Sequence, residues 1–194
     1  WRSKYLVGKS FMEPKFKNAT DFLIWLKNAI EIDSIDYVIP GSNLQFFQYL
    51  EDYPSIKDKI ILGSDSQTIS LLDNKAEFYK ICLEKNLSCS IPFETYNDYL
   101  SFLSGKKRLL QKGYDNLCIK PSVGVFASGF HYFTEQDPLE RFTQGSNFAI
   151  TYSEYERSLK NSNFLLPKMI IMPKYEGKEI SVDCSVNINN KNLS

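Results

Sequence analysis

The residues best suited to chemistry in this 194-residue sequence are a lysine and the loop behind it. Lys120 closes the apolar run Leu117-Cys118-Ile119. It is followed by Pro121 and then by Ser122-Val123-Gly124-Val125-Phe126-Ala127-Ser128-Gly129. Phosphate oxygens need donors that approach closely, and Gly124, Ser128 and Gly129 allow backbone N–H groups to do so with no large side chain in the way. Lys120 would add a point charge at the strand end. A glycine-containing loop between two strands is also the ordinary form of a turn, so the structural reading stands beside the phosphate one. The segment is not a Walker loop, because no Gly-Lys-Ser/Thr precedes a helix. Nor is it a dinucleotide fingerprint, since a strand follows it and the glycine spacing is wrong.

Other reactive side chains point to less. His131 is the only histidine, so no second imidazole can share a zinc site with it, and its Gly-Phe-His-Tyr setting reads as a partly buried strand residue. Cys82, Cys89, Cys118 and Cys184 are widely spaced with no Cys-x-x-Cys, which favours reduced, buried thiols. Lys plus Arg and Asp plus Glu both number 23, and a chain without net charge makes a poor neutraliser of nucleic-acid phosphates. The apolar fraction of 43% and aromatic fraction of 14% exclude global disorder. No apolar run reaches transmembrane length, and the first residues lack a signal-peptide core. A soluble cytoplasmic protein with no nucleic-acid or membrane partner is therefore expected.

These residues need elements to position them. Ala19 to Ile32 carries apolar residues at i, i+3, i+4 spacing, with Asn18 or Thr20 as cap, and reads as an amphipathic helix. Ile35 to Gly41 and Lys59 to Gly63 read as short buried parallel strands, with a helix over Leu44 to Leu50 between them. Helices are expected over Ser66–Leu72, Lys75–Lys85 and Tyr96–Leu103, with a short strand at Ser90-Ile91-Pro92. Strands are expected over Leu117–Pro121, Phe130–Phe133, Lys168–Tyr175 and Glu179–Val186. The polar, tyrosine-rich stretch from Pro138 to Leu159 reads as helix and loop. This order implies an α/β fold.

The order of motifs is more specific than any one of them. Ser70-Leu71-Leu72-Asp73-Asn74-Lys75 opens a helix; Ile91-Pro92 follows; then come Cys118-Ile119-Lys120-Pro121 with its loop, and Ile171-Met172-Pro173-Lys174-Tyr175-Glu176-Gly177-Lys178-Glu179. Together, from about Phe11 to Asp183, they resemble the ATP-grasp superfamily, nearest to carboxylate-amine ligases similar to the large chain of carbamoyl phosphate synthase. The resemblance implies a Rossmann-like pre-ATP-grasp domain over 1–66, lacking its first strand, followed by an incomplete α+β ATP-grasp domain over 67–194.

The resemblance also implies roles. Lys75 and Lys120 would hold the phosphates of ATP, and Gly124, Ser128 and Gly129 would form the loop over them. The Pro173 carbonyl and the Tyr175 N–H would read adenine; proline loses only a donor that this scheme does not use. Glu179 would accept from the ribose hydroxyls. Met172 departs from the acid often found at its position, and a plain hairpin with a Glu-Gly-Lys turn is the structural alternative for this segment. The implied reaction is ATP-dependent ligation of a small carboxylate to an amine through an acyl-phosphate. Magnesium belongs to that chemistry, but residues 184–194 contain no acid and no arginine, so its ligands are expected outside this chain. With Trp1 in place of Met, the chain is expected to be part of a longer protein and inactive alone. A non-catalytic nucleotide-binding or regulatory α/β module is the alternative.

Overall fold

Asn18 accepts the Asp21 N–H at 2.9 Å and so starts the first helix, α1, over Ala19–Ile32. Its apolar stripe of Phe22, Leu23, Leu26 and Ile30 is buried against Phe47, Leu50, Ile56 and Ile60. Phe22 meets Phe16 and Phe47 edge to face, at ring-centroid distances of 5.5 and 5.4 Å. The computed structural model describes residues 13–41, 44–88, 90–124, 127–178 and 180. Contacts divide the chain into two units: Trp1–Ser90 with Ser122–Phe126, and Ile91–Pro121 with Ala127–Ser194.

In the first unit, the segment expected to form an α-helix at Leu44 is instead a 3-10 helix over Leu44–Asp52. With three residues per turn, Phe47 and Leu50 fall on one line and both are buried, so the tighter helix serves the same apolar spacing. Pro54 then opens α2 over Pro54–Lys57. The two expected buried parallel strands shrink to a single parallel bridge, Val38 to Ile60, in which Val38 donates to Lys59 O and Ile61 donates to Val38 O, both at 2.9 Å. Pro40 has no N–H with which to extend the ladder. Ile39 and Ile61 are exposed. Helices α3 (Ser66–Asp73) and α4 (Lys75–Glu84) follow as the sequence predicts, and Asp65 caps α3 by accepting the Thr68 N–H at 2.8 Å.

The second unit is built on a five-stranded mixed sheet in the order β1-β5-β2-β3-β4, where β1 is Glu94–Tyr96, β2 Leu117–Pro121, β3 His131–Phe133, β4 Ala149–Ile150 and β5 Met169–Pro173. All neighbours are antiparallel except β3 and β4. The expected strand at Ser90-Ile91-Pro92 is absent; the strand lies at Glu94–Tyr96 instead, so Tyr96 belongs to β1 and not to the following helix. That helix, α5, runs over Tyr99–Gln111 behind an Asp98 and Ser101 capping box. Gly105 lets α5 approach the sheet: a Cβ there would stand 2.9 Å from Glu94 Cβ and 3.4 Å from Ile171 Cγ2. The stretch from Pro138 resolves into α6 (Pro138–Gln144), β4 and α7 (Tyr152–Asn161).

Phe102 and Leu109 of α5 form a core with Leu117 and Ile119 of β2, Phe133 of β3 and Met169 and Ile171 of β5. Tyr96 and Tyr155 join it and share a hydroxyl–hydroxyl hydrogen bond of 2.7 Å, and burial raises the pKa of both phenols. Arg141, nearly buried, gives both ends of its guanidinium to partners: Nη1 to Ala149 O at 2.6 Å and Nη2 to the Glu154 carboxylate at 2.6 and 2.7 Å. That clasp ties α6, β4 and α7 together. Among the described residues, no helix is long and apolar enough to cross a membrane. The expected strand from Glu179 to Val186 lies outside the described residues, apart from Ile180, which is not in a strand.

Candidate functional site

In the first unit the candidate phosphate residues converge on the start of α4. A helix begins with four N–H groups that have no partner inside the helix. Here the chain supplies all four partners. Asn74 N–H donates to Leu71 O at 3.2 Å and Ser70 O at 3.3 Å; Lys75 N–H donates to Ser122 O at 2.8 Å. Ala76 N–H donates to Ser122 Oγ, and Glu77 N–H to Asn74 Oδ1, both at 3.4 Å. Ser122 is 2% exposed, and its hydroxyl donates to Asn74 Oδ1 at 2.5 Å. Asn74 and Val123 form an antiparallel bridge.

The start of α4 is therefore closed by the root of the Ser122–Gly124 segment, and its backbone amides are already taken up. The group it can offer an anion is the Lys75 side chain. Lys75 Nζ donates to Gly124 O at 2.5 Å, so two of the sequence-predicted residues, Lys75 and Gly124, meet directly. The backbone of Gly124 has φ of 154°, within the range that favours glycine.

In the second unit Lys120 sits near the end of β2, paired with Ile170 of β5. Side chains alternate along a strand, and Ile119 faces the α5 core. Lys120 and Cys118 therefore share the other face with their register partners Ile170 and Met172, and with Tyr132 of β3. That face is apolar around the lysine: Ile170, Met172 and Cys118 are all buried. Burial raises the Cys118 thiol pKa, while the positive charges of Lys120 and Lys174 pull it partly back.

The end of β5 carries the other sequence-predicted residues. Pro173 is buried and its carbonyl accepts a long contact from the Cys118 thiol, 3.8 Å. Lys174 was not predicted as a site residue. Its N–H donates to Asn116 O at 2.8 Å, its ammonium lies 4.9 Å from the Tyr132 ring centroid, and it pairs with Glu176 at 2.6 Å. The Glu176 carboxylate also accepts from Asn116 Nδ2 at 2.8 Å, and these donors hold its pKa down. Tyr175 is 62% exposed. Glu179, predicted at the ribose, lies outside the described residues. Ser128 and Gly129 are exposed in the turn before β3. Gly129 is required there on two grounds: its φ is +72°, and a Cβ would come 2.8 Å from Pro121 Cγ.

His131 lies in β3 as expected, half buried, and its Nδ1 has no hydrogen-bond partner among the described residues. A separate cavity of about 300 Å³ is lined by Asp115, Asn116, Phe133, Thr134, Glu135 and Tyr152. Burial, helped by Glu135, Glu156 and Asp115, pushes the Tyr152 phenol up to about 12. Cys82 and Cys118 are buried thiols outside any disulfide, as the spacing predicts; Cys89 and Cys184 lie outside the described residues. Among the described residues no three His, Cys, Asp or Glu side chains gather as a metal site.

Sequence reasoning missed Asn74 and Ser122. The Asp73-Asn74 pair before a helix is a capping signal for Asn74. Nothing local marks Ser122, whose partners stand 46 and 48 positions away.

No family model matches the chain, and no curated protein matches it. Among solved structures it is similar to the VanG D-Ala:D-Ser ligase from Enterococcus faecalis, at 14% identity and a TM-score of 0.45. The match covers 73% of this chain and 37% of the ligase chain. At that score the likeness carries no argument about activity.

Proposed function

We propose that the chain carries the nucleotide-holding part of an ATP-dependent carboxylate-amine ligase of the ATP-grasp type, working through an acyl-phosphate. The observation that carries the reading is the pairing of β2 with β5. Two motifs some fifty residues apart in sequence, the strand bearing Lys120 and the strand ending in Pro173, are hydrogen-bonded neighbours in register, Cys118 with Met172 and Lys120 with Ile170. They thereby make one buried apolar face with a lysine on it. An adenine ring needs a flat apolar surface and a few fixed polar groups at its edge. Ile170, Met172 and Cys118 are already packed, so they brace that end of the sheet, and the main chain from Pro173 to Tyr175 suits the second need.

The residues present fit ATP in their donor chemistry. Lys120 supplies a charge from a strand on that face, and Lys75 supplies one from a closed helix start where only the side chain is offered. Positioning and charge neutralisation are what phosphoryl transfer asks of a protein. ATP would supply the phosphoryl group that activates the carboxylate. Glu179 is assigned to the ribose, and Ser128 and Gly129 to the loop over the phosphates. Magnesium ligands are assigned to residues beyond this chain, and small carboxylates and amines are the substrate classes.

Thermal unfolding with and without ATP and magnesium tests the reading. With ATP tenfold above its Kd, a binding chain gains about 1.4 kcal/mol of apparent stability. Lys120→Ala should remove that gain. A chain that ATP does not stabilise, with Lys120→Ala indistinguishable from wild type, would overturn the proposal; stabilisation of a longer protein that performs no ligation would favour the non-catalytic module.

A further inference from the structure

We propose that Ser122 and Asn74 are positioning residues for phosphate: their side chains fix the strand-end loop to the start of α4, so that Lys75 is presented to phosphate at a set distance from the Gly124 backbone. The inference rests on the nucleotide reading above and adds to it two residues that touch no nucleotide themselves.

Three features carry it. Ser122 acts twice on α4, through its carbonyl to Lys75 N–H and through its hydroxyl to Ala76 N–H, while the hydroxyl proton goes to Asn74 Oδ1. Asn74 likewise acts twice, capping Glu77 N–H and accepting from Ser122 with the same oxygen. Apart from the cap on Glu77, the bonds in the group join α4 or its cap to residues 122–124, and Ser122 is buried. A serine hydroxyl buried to this degree and satisfied on both its donor and acceptor sides has one conformation.

The consequence falls on Lys75. A lysine on a free helix start sweeps through many rotamers, and fixing it on a ligand costs entropy. Here its backbone N–H is tied to Ser122 and its ammonium to Gly124 O, so the side chain spans two points of one segment. An ammonium has three N–H donors, so a carbonyl and phosphate oxygens can share it. Loss of the Ser122 hydroxyl leaves the helix and the backbone bond to Lys75 N–H in place, but removes the two side-chain bonds, to Ala76 N–H and to Asn74, that hold this segment in register with the residue that would meet phosphate.

Two variants separate this from ordinary capping. Ser122→Ala removes the shared hydroxyl; Asn74→Ser keeps a good capping oxygen for α4 but shortens the reach to Ser122. Each is checked for native circular dichroism, and ATP and adenosine affinities are measured by calorimetry on the full chain. ATP affinity should fall about tenfold, equivalent to about 1.4 kcal/mol, while adenosine affinity is unchanged. The double variant should fall no further than either single one, because the two residues act as a unit. If wild type binds ATP and both variants keep its ratio of ATP to adenosine affinity, the inference is overturned while the nucleotide reading survives. If wild type binds neither ATP nor adenosine, both are overturned.

Discussion

Lys75 carries two opposed local effects. As the first residue of α4 it places a positive charge at the positive end of the helix dipole, a cost of about 0.3–1 kcal/mol. Against this stands the hydrogen bond of its charged ammonium to Gly124 O, a contribution of about 1.5–3 kcal/mol. The bond outweighs the dipole cost, so the lysine also supports the ligand-free fold. Lys75→Met is therefore expected to destabilise the ligand-free chain by about 1–2 kcal/mol, read by urea denaturation. The same substitution should abolish the ATP-dependent rise in Tm; a variant that keeps the rise removes Lys75 from the phosphate site. The place of Lys120 near the end of β2 was legible in the sequence because its signal is local, a lysine closing an apolar run before a glycine loop. Ser122 was not, because its role is made by Asn74 and Ala76, far away along the chain.

Helix starts are where the elements depend on charge. Asp65 accepts the Thr68 N–H and then the Thr68 hydroxyl; Asp98 accepts the Ser101 N–H and then its hydroxyl. Glu154 accepts the Thr151 N–H first and the Arg141 guanidinium after it. In each case these donors favour the ionised form, so the native pKa lies below the ordinary value of 3.8 for the aspartates and 4.5 for the glutamate. A lowered native pKa gives stability that is complete above the unfolded value and lost as pH falls through the native one. Stability should accordingly be flat above about pH 5 and decline below about pH 4. Glu154→Gln should make that decline shallower, followed by circular dichroism against urea at each pH; an unchanged slope would remove Glu154 from the acid response. The Asn18 cap of α1 was readable from sequence as a polar residue before apolar spacing, whereas Asp98 was hidden inside a helix expected to begin at Tyr96. The 3-10 form of Leu44–Asp52 was not, because Phe47 and Leu50 three apart suit either helix. The partners of β5 were also hidden: an all-apolar strand states that both faces are covered, while the register with β1 and β2 depends on residues far from it in sequence.

At the scale of the whole molecule, two clusters of buried apolar side chains among the described residues share no member. One is formed by Phe22, Leu23, Leu26, Ile30, Phe47, Leu50, Ile56 and Ile60, all in the first unit. The other is formed by Tyr96, Phe102, Leu109, Leu117, Ile119, Phe133, Met169 and Ile171, all in the second. A chain with two cores need not unfold in one step, and a change in one core acts first on the amides that core protects. Phe47 and Phe102 are equivalent probes, at 1% and 0% exposure. Removing either ring deletes its burial and leaves a cavity, a loss of about 3–5 kcal/mol. Phe47→Ala should accordingly raise native-state hydrogen exchange over α1 and Leu44–Asp52 and spare β2 and β5. Phe102→Ala should do the reverse, exposing α5, β2 and β5 while α1 keeps its protection. The double variant should show the sum of the two patterns, because the substituted residues have no common neighbour in either cluster. If instead one substitution accelerated exchange across both clusters alike, the two cores would be a single cooperative unit, and the division of the apolar residues would carry no energetic meaning.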